Sequence, residues 1–518
     1  MRTKFNSSHH VALALAAAVA VAGIAASGST ARATTATWTG GGGSSDTNWS
    51  DTANWSGGSG SGGIPGTGDT VDFGKSSSLT NHNDLSNLSI AELIFGYPAA
   101  GPDAFTLGGN ALTITSNGYN VNYGVDSYAY NITETINNDI NFNGSSNIRE
   151  TSTGALVLTG TLSGSNSLGL NAGSGVIILD NTSGNTSTFS GSLAGVEGTV
   201  DLEAGTYTFD NSGYQFGGTV NQTGGNLTLG VSRYNQFATG VYNLGGGTAT
   251  STLTVGNIEG MGTMNVMANG SLASSPTDTA DISSSNTPTG ILTLEGGTAT
   301  LGAITVNDGS STSTATINLD SGTLATPGLK LNASTNGTAV VNSNGGTLEF
   351  SAADTIAAST AATWNVQAGG AIINTNGHAV TIDQALVSDA TVDGGLTKNG
   401  LGTLNLASTA NTYNGNTTVN AGTLEINSNF LASTSTVSIA TSAVMDLNYS
   451  GTDLVKYLYL NGVSQAGGVY GANALASAYF SGIGTLTVQG SQIPEPATLA
   501  LMGVAGVGLL TIKRRKKP

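Results

Sequence analysis

A glycine, usually followed by Thr and then an apolar residue, recurs through the middle of this chain, and its rhythm limits the possible folds more than any other feature. NLGGGTATSTLTV from Asn243, TLEGGTATLGAITV from Thr293, NLDSGTLATPGLKL from Asn318 and VNSNGGTLEF from Val341 all carry it. Used as a marker, it falls at Gly175, Gly198, Gly225, Gly247, Gly270, Gly297, Gly322, Gly346, Gly370, Gly395 and Gly422, at intervals of 22 to 27 residues averaging about 24.7. Two residues past each marker stand Ile177, Val200, Leu227, Ala249, Leu272, Ala299, Leu324, Leu348, Ile372, Thr397 and Leu424. Period-two alternation surrounds them, as in Gly328-Leu329-Lys330-Leu331, which places both leucines on one face of a strand and Lys330 on the other. A unit of this length holds two or three short strands and cannot bury its apolar face alone, whereas stacked units share one core.

The composition agrees. Of 518 residues 76 are glycine, 9 are proline and none is cysteine, and only 9% are charged against 38% hydrophobic. Many short strands and tight turns suit that mixture, and disulfides cannot hold it together. Each inward Leu or Ile, fully buried, contributes roughly 1.5–3 kcal/mol, so a long stack could stabilise the chain. The expected fold is all-β: a right-handed parallel β-helix over 126–446, with capping segments at 34–125 and 447–490. A string of small β-sandwiches is the alternative, and the short, irregular repeat counts against it.

The ends read differently. MRTKFNSSHH is basic, VALALAAAVAVAGIAA is apolar, and Ala31-Arg32-Ala33 has the small-x-small form cut by signal peptidase, so 1–33 is a secretory signal and the mature chain begins at Thr34. Without the signal and the basic end, the body keeps 6 basic against 30 acidic residues, a net of about −24. That charge repels nucleic acid and anionic glycans, and no nucleic-acid partner is expected.

Candidate chemistry is sparse. Asp201 and Glu203 stand at i, i+2 on one face of a strand, and Asp278 and Asp281 share a polar loop; either pair is a candidate for carboxylate chemistry on a polysaccharide. Arg149, Arg233, Lys330, Lys398 and Lys456 are candidate bases, none in an acidic cluster. His82 and His378 are almost three hundred residues apart, and turn or surface positions suit both. No cofactor is expected beyond loosely bound Ca²⁺ on surface carboxylates. Trp38, Trp49 and Trp55 crowd the mature N-terminus; they would plug the open end of the solenoid or, if exposed, stack on sugar rings. Trp364 fits core or corner packing. In 447–490, Leu458, Leu460 and Val463 flank Asn461-Gly462, a hairpin signal within a second cap.

Two segments carry family resemblances. GGLTKNGLGTLNLASTANTYNGNTTVNAGTLEIN, Gly394 to Asn427, resembles the autotransporter-associated β-strand repeat through GxGTLxL and NTYxGxTxVxxGTLxI, with a looser copy from Val176. The resemblance implies a passenger-type β-helix. No barrel-like region follows Gly490, so export by another route is expected.

The last segment, 491–518, resembles a PEP-CTERM sorting signal. It has the Pro494-Glu495-Pro496 box, the apolar run Ala497–Ile512, and the basic end Lys513-Arg514-Arg515-Lys516-Lys517. In that family a membrane-embedded exosortase recognises the box and removes the helix, a logic similar to that of a GPI tail. The resemblance implies a single helix held transiently in the inner membrane, with the basic end as its stop. After processing, the chain would stand at the cell surface or outside the cell. The alternative is a permanent inner-membrane anchor with the body facing the periplasm. A structural or adhesive, non-enzymatic role around exopolysaccharide or biofilm follows as the expected function, and a polysaccharide-binding or polysaccharide-degrading β-helix is the alternative.

Overall fold

The computed structural model describes residues 34–490 apart from the internal segments 97–102, 116–122, 129, 211–213, 216, 231–234, 237–239, 248–249, 256–257, 260–261, 278, 283–288, 308–312 and 332–336. Strands dominate, and the helical elements among the described residues are three 3-10 turns at Thr52–Asn54, Ser61–Gly63 and Ser477–Tyr479. The chain winds into a β-solenoid of about 14 turns.

Each turn lays down short strands on three faces, and each face pairs in parallel with the turn above and below. The first face begins with Thr70–Phe73, Glu92–Phe95 and Tyr123–Ser127. The second runs from Thr80–Asn83 through Val241–Leu244 to Leu386–Ser388. The third runs from Ser89–Ile90 to Tyr457–Leu460. Inward positions of the second face, Leu156, Ile177, Val200, Val220, Tyr242, Met264, Leu292, Ile317, Val341, Trp364 and Leu386, form one buried column. Adjacent strands lie about 4.8 Å apart, so like side chains stack directly on like. The polar groups inside that column are matched: Tyr242 donates to Gln222 at 2.6 Å and Trp364 Nε1 to Ser343 at 2.9 Å.

The glycine markers do not form a single line. Gly175 and Gly198 precede strands of the second face, Gly225 to Gly346 those of the third, and Gly422 a strand of the first. The true partner of Gly225 in the next turn is Ser251, not Gly247. At Gly370 and Gly395 the register slips by one: Leu348 pairs with Ile373 and Ile373 with Lys398, so Ile372 and Thr397 face outward. A one-residue slip exchanges every inward and outward side chain.

Parallel stacking also begins well before residue 126. Thr35–Trp38 already pairs in parallel with Thr70–Phe73, and the antiparallel strand Trp55–Ser56 covers its other edge. Trp38, Trp49 and Trp55 pack edge-to-face with ring centroids 5.0 and 5.3 Å apart, and Phe73 continues the aromatic plug towards Phe95 and Phe105. At the other end the Asn461-Gly462 turn takes positive φ at both residues and closes an antiparallel hairpin, Tyr457–Leu460 with Val463–Ser464.

Candidate functional site

The second face presents a polar ladder outward. In register along it lie Asp201, Asn221, Asn243, Asn265, Thr293, Asn318, Asn342 and Asn365. Each asparagine Nδ2 in the first run donates to the turn before it: Asn265 to Asn243, Asn243 to Asn221 and Asn221 to Asp201, all at 2.8 Å. Asn365, Asn342 and Asn318 continue the pattern to Thr293. An amide both donates and accepts, so identical amides can repeat indefinitely, and a carboxylate ends the run because it accepts alone. Asp201 therefore terminates a structural ladder. Glu203 shares its outward direction and is exposed. Asp278 lies outside the described residues, so the geometry of its pair with Asp281 is not defined.

The first face carries a broad recess. Between Leu329–Leu331 and Asp354–Ile356 its ladder pairing is interrupted, and the Asp354 carboxylate instead accepts from the Leu329 N–H at 2.8 Å. A groove of about 880 Å³ opens there, lined among others by Thr305, exposed Lys330, Thr355, Ser359 and Thr360. Asp281, Thr305 and Lys330 lie in register on successive strands.

A third group sits on the first face near the N-terminus. Arg149 forms a bidentate ion pair with Asp126, donates to Tyr128 at 2.9 Å and lies 3.6 Å from the centroid of the Tyr123 ring. Burial, with Asp126 adding to it against the pull of Arg149, pushes the neighbouring Glu92 carboxyl up to about 7. Two further carboxyls face the interior. Burial raises Glu134 to about 8, and burial also raises Glu150; each has one oxygen without a partner. Sequence alternation could not flag them: both occupy inward positions, Glu134 in register with Leu156 and Glu150 with Ser127 and, one turn further, Phe95.

The sequence candidates fall as follows. Trp38, Trp49 and Trp55 are 1%, 0% and 5% exposed, so stacking on sugar rings is ruled out: their faces are already packed on one another and on Phe73. His82 is exposed and His378 sits in a turn. Lys456 extends over the Tyr457 ring, and Arg233 is outside the described residues. Lys398 is fully buried, a consequence of the register slip, and donates to the carbonyls of Asn399, Gly400 and Ala421. Burial lowers its ammonium to about 8. Among the described residues no three His, Cys, Asp or Glu side chains converge on a metal site, and no helix is long and apolar enough to cross a membrane. Ala31 and Ala33, the Pro494-Glu495-Pro496 box and the basic residues 513–517 lie outside the described residues.

The segment around Lys398 is built of short-range locks. Gly400 and Gly402 adopt φ of 75° and 90°, and a Cβ on either would meet a neighbouring oxygen at 2.1 or 2.2 Å. Asp393 accepts from the N–H groups of Gly395, Asn414 and Gly415. Buried Tyr413 packs edge-on against Phe430.

Fold and locks together define a parallel β-solenoid of short stacked turns. Residues 396–426, the locked segment, match the passenger-associated-transport-repeat model, and residues 492–516 match the PEP-CTERM protein-sorting motif. The chain thus carries one passenger-associated repeat and a PEP-CTERM sorting motif, and the motif implies export and handling by exosortase-type machinery. No curated protein and no solved structure matches the chain.

Proposed function

We propose that this protein is a non-enzymatic, structural or adhesive element of the cell surface or extracellular matrix, associated with exopolysaccharide or biofilm. In this reading signal peptidase cuts after Ala33, and the run Ala497–Ile512 is held briefly in the inner membrane with Lys513–Lys517 as its stop. An exosortase then acts at Pro494-Glu495-Pro496. The solenoid is taken as right-handed, the hand that parallel crossovers almost always adopt. The observation that carries the reading is the pairing of a sorting motif with a long solenoid whose ladder amides bond to one another. Acidic outer faces would bind Ca²⁺ loosely and so bridge to anionic glycans. Replacing Pro494, Glu495 and Pro496 by alanine should leave the precursor in the membrane fraction and reduce the exopolysaccharide held by the cells. Unchanged surface display of that variant would defeat the reading.

A second reading rests on the groove at Lys330: binding or cleavage of a polysaccharide along the first face. It predicts measurable glycan affinity or cleavage by the secreted protein, lost in Lys330→Ala.

A further inference from the structure

The C-terminal end of the solenoid differs from the rest of its surface. Residues 457–490 contain no Asp, Glu, Lys, Arg or His, on a body of net charge about −24 from 6 basic and 30 acidic residues. Short edge strands finish this end: Val463–Ser464 on the third face, Phe480–Gly482 on the first, and Gly468–Tyr470 on a separate small sheet with Thr452–Val455 and Thr485–Val488. Exposed apolar side chains accompany them. Val463 is 63% exposed, Val469 46%, Leu475 57% and Ile483 73%. Leu454, 42% exposed, stands in the same cross-strand row as Val469, since both are in register with Thr487. The nearest carboxylate in sequence, Asp453, is buried; burial, opposed by the Tyr449 hydroxyl bond, pushes it up to about 6. Half-buried Tyr457, Tyr459 and Tyr479 belong to the same cap.

The chain leaves this end at Gly490, and the apolar run begins at Ala497. Seven residue steps span at most about 25 Å, so a body whose tail lies in a bilayer has this end against the lipid. Uncharged, apolar and tyrosine-bearing surface suits the headgroup boundary, and a strongly acidic one does not. We propose that the C-terminal cap is a membrane-seating surface. In the unprocessed chain Val463, Val469, Leu475 and Ile483 rest on the phospholipid surface, the solenoid stands away from it, and the Pro494-Glu495-Pro496 box is held at the interface until it is cut. This inference rests on the reading that the tail is held in the membrane.

The cysteine-free sequence allows a direct test. Single variants Leu475→Cys, Ile483→Cys and Tyr130→Cys of the tail-bearing chain are labelled with an environment-sensitive fluorophore. They are then reconstituted with vesicles of phosphatidylethanolamine and phosphatidylglycerol that carry a lipid-bound quencher. Tyr130 is 65% exposed near the opposite end and serves as the reference. The proposal expects most of the fluorescence at 475 and 483 to be lost and that at 130 to be kept. Protein that floats with the vesicles but shows equal signals at all three positions overturns the seating surface and leaves the membrane stage standing. A chain that does not float at all removes the membrane stage and the seating surface together. Labels at 475 and 483 that blue-shift without vesicles, with a doubled sedimenting mass, would assign this end to a second copy and reject the lipid.

Discussion

Trp49 is fully buried, its Nε1 donates to Asn81 at 2.7 Å, and its ring closes the first turns of the stack. Trp49→Ala should therefore cost about 3–5 kcal/mol in denaturant unfolding, the range for a large aromatic removed from a packed site. The interior carboxyls give a pH signature. Glu134 is raised to about 8 by burial, opposed by the Phe105 N–H bond, so the folded chain holds a proton that the unfolded chain releases near 4.5. Its contribution to stability is complete below that unfolded value and is lost as pH rises towards about 8. The thermal midpoint of the native chain should fall between those limits, and Glu134→Gln should flatten the fall; an identical profile in the variant would refute the assignment. Neither carboxyl was legible in the sequence, because nothing local distinguishes an inward Glu from an outward one.

At the scale of strands, the asparagine ladder is the most directly testable feature. Asn243 donates to Asn221 and accepts from Asn265, whereas Asn365 stands at the far end of the second run. At roughly 0.5–1.5 kcal/mol per hydrogen bond, Asn243→Ala should cost about 1–3 kcal/mol and Asn365→Ala about half of that. Equal costs in urea unfolding would show that the amides act singly. The repeat period and the alternation within strands could be read from sequence, since both follow from local residue pattern. Which face a given glycine precedes could not. Ser251 replaces the glycine marker in one turn, and the slip at Gly370 turns Lys398 inward. Both are settled by pairing between turns about 25 residues apart, not by neighbours along the chain. The tryptophan cluster was legible as a group, but its burial depends on Phe73, Phe95 and Phe105 beneath it.

For the whole molecule, both ends are finished by antiparallel strands, Trp55–Ser56 at one and Val463–Ser464 and Gly468–Tyr470 at the other. These interrupt the parallel pattern that a second solenoid would have to continue. The processed chain should accordingly sediment as a single species at all concentrations tested, and concentration-dependent filaments would show that the ends are not sealed. The central claim, however, is that the solenoid reaches the surface by losing its tail. The most direct measurement is the C-terminal mass of the native protein recovered separately from membrane, matrix and medium. An end near Pro494–Pro496 in the matrix or surface fraction is the predicted result. An intact Lys513–Lys517 end confined to the inner membrane would contradict it and make the protein a permanently anchored periplasmic solenoid.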